Sequence, residues 1–348
     1  MTDYKNILIV RTDRIGDVVL TTPAIKALRE AYPNSKIAIL VALATRDLVD
    51  GNICLDKVLV DDRDGEHKGL RGFIQLIRSI RKEKFDCAFV LHTKKRTNLT
   101  CFLSGIPVRI GYKNSKFGFL LNRPITDVRH KGEKHEAQYC LDVLKKIGIE
   151  CADVDLDLPV KEDALCWVDQ FRREHNISEN DRLIAFHPGA SDPAKRWPEN
   201  RFAELADALI EQYQAKIVII GASDTDSIAK RIISLSKNEA VNLAGKTSVG
   251  QLAGLLMGCD LLVSNDSGPV HVAAGVGTPV ISIFTRNQAG INPERWGPLG
   301  EKSRVVSVLP VRSSGISFKK AQPRDIKYLE LVPAKAVLEA VDSLFKLC

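Results

Sequence analysis

Four stretches of this sequence place charged or hydroxyl side chains directly behind short apolar runs, where strands end. "RTDRIGD" (11–17) follows "NILIV" and interleaves Arg11 and Arg14 with Asp13 and Asp17. Asp17 follows Gly16 at a helix start. There a carboxylate is favoured by the helix dipole whatever it does, or serves as a general base for a substrate hydroxyl. "HPGASDPAKRWPENRF" (187–202) offers Ser191, Lys195 and Arg196 to an anion. Lysine as a point charge beside an arginine fork suits a diphosphate, though such a pair also occurs simply for solubility. "IIGASDTDS" (219–227) ends a strand at Gly221, and Asp224 or Asp226 then either caps a helix or accepts from ribose hydroxyls. "SNDSGPVHVAAG" (264–275) turns from a strand into a helix near Pro269. The free N–H groups of such a helix start attract anions, and Gly268 lets a phosphate approach closely. Asp266 and Ser267 are there as caps or as ligands. His271 either faces the same anion or is a buried core histidine.

A fifth, weaker stretch, "HTKKRTNL" (92–99), is a basic loop that suits an anionic group of a second substrate through Lys94 and Arg96. "DVDLDL" (153–158) resembles an acidic metal motif, but alternation in a linker strand explains it better. His130 and His135 have no partners at metal-ligand spacing. No GxGxxG follows any strand, which argues against a dinucleotide cofactor.

The elements that must position these residues follow from apolar periodicity. Residues 6–10, 36–41, 57–60 and 87–91 read as buried strands. "VVLTTPAIKALREAY" and "LRGFIQLIRSIRKEKF" have helical spacing, with Pro23 in a first turn capped by Thr22 or at a kink. The alternation fades near residues 151–164 and restarts with strands in 182–189, 215–223, 260–268 and 278–284. Helices are expected at 198–212, 224–236, 248–257 and 267–275. A last helix, 333–346, carries Val337, Leu338, Val341 and Leu344. Strand–helix alternation predicts doubly wound parallel sheets. With 348 residues, two domains are expected. Ligands of parallel sheets bind beyond the carboxyl ends of the strands, so two facing sheets would form a cleft lined by these stretches.

Charge is distributed unevenly. Residues 1–150 hold 27 Lys and Arg against 18 Asp and Glu, a net of +9, while residues 151–348 hold 23 against 25, a net of −2. A basic half implies an acidic partner. The eight cysteines show no CxxC and read as reduced thiols. No apolar run reaches membrane-span length, and the start lacks a signal-peptide pattern, so a cytoplasmic location is expected.

Together these stretches resemble glycosyltransferase family 9, the ADP-heptose:lipopolysaccharide heptosyltransferases. The likeness lies in "ILIVRTDRIGDVVLTTPAIKALRE", "RIGY" (109–112), "HPGASDPAKRWPENRFAEL" and "NLAGKTSVGQLAGLLMGCDLLVSNDSGPVHVAAGVGTPVISIF" (242–284), in order along nearly the whole chain. It implies an α/β chain of GT-B architecture: residues 1–158 binding the acceptor, 159–330 binding the nucleotide-sugar, and 331–348 returning toward the first domain. It also implies metal-independent, inverting transfer without a cofactor. By motif, Asp17 matches the catalytic carboxylate and Lys195 the phosphate-contacting lysine. Asp266, Ser267, Gly268 and His271 match the donor motif, with Ser191 matched to phosphate, Asp224 to ribose, and Arg196 beside Lys195. Arg14, Lys94 and Arg96 would then face the acceptor, with Arg11 and Arg14 in a basic wall and Asp13 an ion-pair partner for one of them. The expected partners are an ADP-heptose donor and an acidic, lipid-linked glycan, with peripheral contact to an anionic membrane and no nucleic acid. After "SIF" the sequence departs from the family's Gly-Pro-Thr, and Arg286 in that loop leaves the donor sugar or base open. The alternatives are a family 9 enzyme with another donor or a surface-glycan acceptor, or a non-catalytic anion-binding protein. No RNA- or DNA-binding motif supports the last.

Overall fold

The computed structural model describes residues 3–284, 288–307 and 331–346. The chain divides into two compact units, Met1–Pro159 and Val160–Cys348.

In the first unit, strands β1 (Asn6–Arg11), β2 (Lys36–Ala42), β3 (Lys57–Asp61), β4 (Cys87–Val90), β5 (Val108–Lys113) and β6 (Arg123–Thr126) form one sheet. Their order is β3-β2-β1-β4-β5-β6 and every pairing is parallel. Helices α1 (Ile15–Val19), α2 (Thr22–Ala31), α3 (Gly69–Glu83), α4 (Lys95–Leu103) and α5 (Glu136–Leu144) make the connections. Helices on both faces explain why β1 and β4 are apolar runs rather than alternating patterns: Ile7, Leu8, Ile9 and Val10 are all buried, as are Cys87 to Val90. Gly111 on β5 is set by close approach, since a Cβ there would lie 2.6 Å from the Val90 carbonyl oxygen on β4.

The second unit repeats this topology. Strands β7 (Leu183–His187), β8 (Lys216–Ile219), β9 (Val241–Asn242), β10 (Leu261–Asn265), β11 (Val280–Ile283) and β12 (Ser303–Val306) take the order β12-β11-β10-β7-β8-β9. Around them lie α6 (Glu162–Glu174), α7 (Glu199–Tyr213), α8 (Asp226–Leu235), α9 (Val249–Met257), α10 (Gly268–Gly275), α11 (Pro293–Trp296) and α12 (Ala334–Phe345). A core of Ile184, Phe186, Trp197, Phe202 and Leu261 extends to Val337, Val341 and Leu344 of α12.

Helix α12 packs into the second unit's core, because its apolar stripe meets α7 and β12. Two expectations are corrected by the local structure. Thr21, not Thr22, occupies the cap position of α2, because Pro23 sits second in the helix rather than first, and the Thr22 hydroxyl donates to Val19 O. Residues 153–158 form no strand: Asp153 accepts from the Asp155 N–H and pairs with Lys26. Seven cysteines lie within the described residues and all are free; Cys348 lies outside them.

In each sheet one pair of neighbouring strands sends its connections in opposite directions: β1 and β4 in the first, β7 and β10 in the second. A crevice opens beyond the carboxyl ends of such a pair without any help from side chains.

Candidate active site

The first crevice is organised by Arg11, the last residue of β1, which is only 2% exposed. Its Nη2 donates to Asp17 Oδ1 at 2.6 Å and to Glu136 Oε1 at 3.1 Å. Its Nη1 reaches the Leu91 carbonyl at the end of β4, 3.4 Å away. Nε stands 3.1 Å from Asp13 Oδ1, close enough for an ion pair but not aligned for a hydrogen bond. Asp13 is thus an ion-pair partner of Arg11, as expected. Arg11 itself is a buried hub, not part of a basic wall, because it continues the apolar strand inward.

Asp17 lies in the first turn of α1, held by the Thr21 hydroxyl donating to its backbone carbonyl. Its side chain is 16% exposed. Burial raises its pKa to about 6; Arg11 opposes this, and the negative charges of Asp13 and Glu136 reinforce it. A carboxylate in that range is ionised near neutrality and basic enough to take a proton in a transition state. Burial likewise raises Asp13 against the pull of Arg11. His92, just beyond β4, pairs with the Thr12 hydroxyl at 3.2 Å. Burial and the nearby cations Arg11, Lys94 and Arg63 push its pKa down to about 3, so it stays neutral. If Asp17 is the base, the turnover number rises with pH through a midpoint near 6 and is flat above it, since the protonated acid cannot accept. A pH profile at saturating substrates checks this; a flat profile between pH 5 and 8 rules it out.

The residues expected to meet an acceptor are placed differently from one another. Arg14 is exposed just before α1. Lys94 is exposed at the start of α4, its ammonium pKa lowered chiefly by the neighbouring Lys116 amine. Lys116 belongs to a loop pinned by Asn98 Nδ2, which donates to its carbonyl, and by Asn114 Nδ2, which donates to Thr93. Arg96 instead makes a fork to Asp61 at 2.7 and 2.9 Å and stacks over Phe73. Burial alone would raise Asp61, but its bonds to Arg96 and Arg63 hold it below the usual carboxylate range. Arg96 is therefore held by a carboxylate that it shares with Arg63.

The second crevice lies beyond β7 and β10. Asn265, the fully buried last residue of β10, joins the two loops: Nδ2 donates to Pro188 O at 2.7 Å and Oδ1 accepts from Trp197 N at 3.0 Å. Trp197 is anchored by its Nε1 donating to Val332 O. The loop between them therefore carries Ser191, which is exposed, and Lys195, whose Nζ is 3.0 Å from Asp266 Oδ2. Arg196 folds back to donate twice to the Ala190 carbonyl. Ser267 occupies the cap position of α10 but makes no side-chain cap bond. Its hydroxyl turns to His187 Nδ1, 2.9 Å away, and to Asn265 O. The start of α10 is thus left without a side-chain cap, beside Gly268. Buried His187 has its pKa lowered to about 4 by desolvation and stays neutral. His271 is buried within α10. Asp224 is exposed in the turn before α8, whereas Asp226 pairs with Lys230 and accepts from Asn242. Gly189 and Gly221 crowd Thr225 at this turn: a Cβ on either would fall 2.6 Å from a Thr225 side-chain atom. Arg286 lies outside the described residues.

Glu136, Arg129 and His187 were not foreseen as site residues. His187 opens the "HPG" stretch and carried a visible signal. Glu136 follows no strand and carried none.

Comparison with known proteins now bears on this geometry. Residues 73–325 match the model of "Glycosyltransferase family 9 (heptosyltransferase)". The chain is 27% identical over 319 residues to lipopolysaccharide heptosyltransferase 2 of Escherichia coli, covering 87% of this chain and 88% of that one. A family 9 glycosyl transferase from Veillonella parvula superposes with a TM-score of 0.89 at 27% identity, covering 100% of this chain and 99% of that one. The E. coli ADP-heptose heptosyltransferase II gives 0.80 at 23% identity, with 98% of each chain covered, and so shares the fold. Among the described residues no helix is long and apolar enough to cross a membrane.

Proposed function

We propose, from the premise that the chain belongs to glycosyltransferase family 9, that it moves heptose from ADP-heptose to an acidic acceptor of the lipopolysaccharide core. One observation carries the mechanism: a partly exposed carboxylate, Asp17, is held at a sheet's switch point by a buried arginine that bonds only one of its oxygens. Asp17 Oδ2 takes the acceptor hydroxyl's proton while that oxygen attacks the anomeric carbon from the face opposite the diphosphate. The bond from that carbon to the diphosphate oxygen breaks, and the electron pair leaves with the diphosphate. Negative charge therefore grows on the leaving group during the step. Lys195 and the uncapped N–H groups of α10 meet that growing charge, where fixed dipoles help most. Asp266, Ser267, Gly268 and His271 shape the donor side, with Ser191 and Asp224 at its rim.

Arg14 and Lys94 face the acceptor, and Arg96 holds the loop beside them through Asp61. The positive excess of residues 1–150 gives a lipid-linked acidic acceptor, and the anionic membrane surface bearing it, a favourable field. The test is a panel of nucleotide-sugars offered with a Kdo-lipid acceptor, read by release of nucleoside diphosphate. Turnover with ADP-heptose is expected. Turnover only with another nucleotide-sugar would reassign the donor, and none from folded protein with any donor would overturn the proposal.

A further inference from the structure

The buried charges around Asp17 include one that the transfer chemistry above does not use. Glu136 begins α5 and is 2% exposed, far in sequence from every motif behind a strand. It shares a single nitrogen, Arg11 Nη2, with Asp17. Its first-turn position favours the ionised form, and Arg129 Nη1 stands 3.9 Å from the same Oε1. Arg129 is itself engaged by Asp127 at 2.8 Å. The groups facing Asp17 are therefore Arg11 from β1, Asp13 from the following loop and Glu136 from α5. Cys140, also from α5, lies against Arg11, and Arg129 lies behind Glu136. His92 and Lys94 lie beyond β4. Carboxylates outnumber guanidinium groups in this cluster, so Arg11 is divided among acids and cannot fully neutralise any one.

We propose that Glu136 is a positioning residue for the transfer, acting through Arg11. It anchors the guanidinium so that a single N–H reaches Asp17 Oδ1, and it withdraws enough of Arg11's charge to keep Asp17 a competent base. Among the described residues Asp17 Oδ2 has no partner, so the oxygen that meets substrate is the one Arg11 does not hold. Without Glu136 the guanidinium is shared by Asp13 and Asp17 alone, and the larger share of positive charge on Asp17 stabilises its carboxylate and weakens it as a base.

This inference rests on Asp17 being the base, and the experiment separates the two claims. Transfer by Glu136→Gln is measured from pH 4.5 to 8.5 beside the wild type and Asp17→Asn. The acid limb of the Glu136→Gln turnover number is expected to move about one unit lower, and its plateau to fall roughly three-fold, with the donor KM unchanged. Glu136→Asp keeps the charge but retracts it by one methylene, and its limb is expected to move the same way by less. A merely structural role would lower the amount of active enzyme and leave the limb in place. An unmoved limb in folded Glu136→Gln or Glu136→Asp, with Asp17→Asn inactive, overturns the inference and spares the base. Activity retained in Asp17→Asn overturns the base and the inference together.

Discussion

Asp17→Asn is expected to lose about 10³-fold in turnover while donor affinity stays within two-fold of wild type. A positioned general base contributes on the order of 10²–10⁴, and the amide that replaces it can accept no proton at neutral pH. Donor affinity is spared because the groups assigned to the diphosphate, Lys195 and the start of α10, belong to the other unit. The substitution is close to isosteric, and Arg11 keeps Glu136 and Asp13 as counter-charges, so the buried guanidinium is not orphaned. Single-turnover release of nucleoside diphosphate and calorimetric donor titration together check the expectation. Turnover within ten-fold of wild type would remove Asp17 from the role of base. Parallel loss of donor affinity would mean that the residue acts through the fold.

Lys195→Ala is expected to lower turnover by about 10²–10³ and to raise the donor KM, since removing one preorganised contact to developing charge typically has that effect. The local electrostatics favour the upper end. Lys195 pairs with Asp266 at 3.0 Å, and both side chains are nearly buried, 12% and 11% exposed. Alanine would take away the ammonium 3.0 Å from the Asp266 carboxylate, so the negative charge of Asp266 would bear more strongly on a diphosphate. Steady-state kinetics with varied donor decide the matter, and an unchanged donor KM with an unchanged turnover number would exclude Lys195 from the phosphate. Lys195→Arg is expected to recover only part of the loss, because a planar fork cannot occupy the position of a compact ammonium.

What could be read from the sequence was what local rules govern. Eight strands fall close to their expected places because their apolar runs are unbroken; seven of them lie inside their sheets, and only β3 is an edge strand, partly buried. The short strands β6, β9 and β12 escaped, being two to four residues long and only partly buried. In β5, Gly111 interrupts the apolar run for the sake of β4. Residues behind strand ends were singled out as site candidates, and the topology brings them to the mouth of each sheet's crevice. What escaped was pairing at a distance. Arg96 reads as a lone cation, although Asp61, thirty-five positions earlier, forks to it. Arg11 looks like a surface charge until Glu136, 125 positions later, buries it in an acid cluster. Sequence spacing carries no trace of either partnership.

The strand order also sets a timetable for synthesis. β1 and β7 are each the first strand of their unit to be made, yet each finishes near the centre of its sheet. The flank of β1 that pairs with β4 stays bare until Cys87 has been translated, and that of β7 until Leu261. At about 5–20 residues per second, each wait lasts on the order of 4–15 s. For that interval a largely apolar strand shows an open edge to the crowded interior of the cell. The shared topology that twice prepares a crevice for ligands thus also leaves, twice in each round of translation, an unpaired strand edge of the kind that invites misassembly.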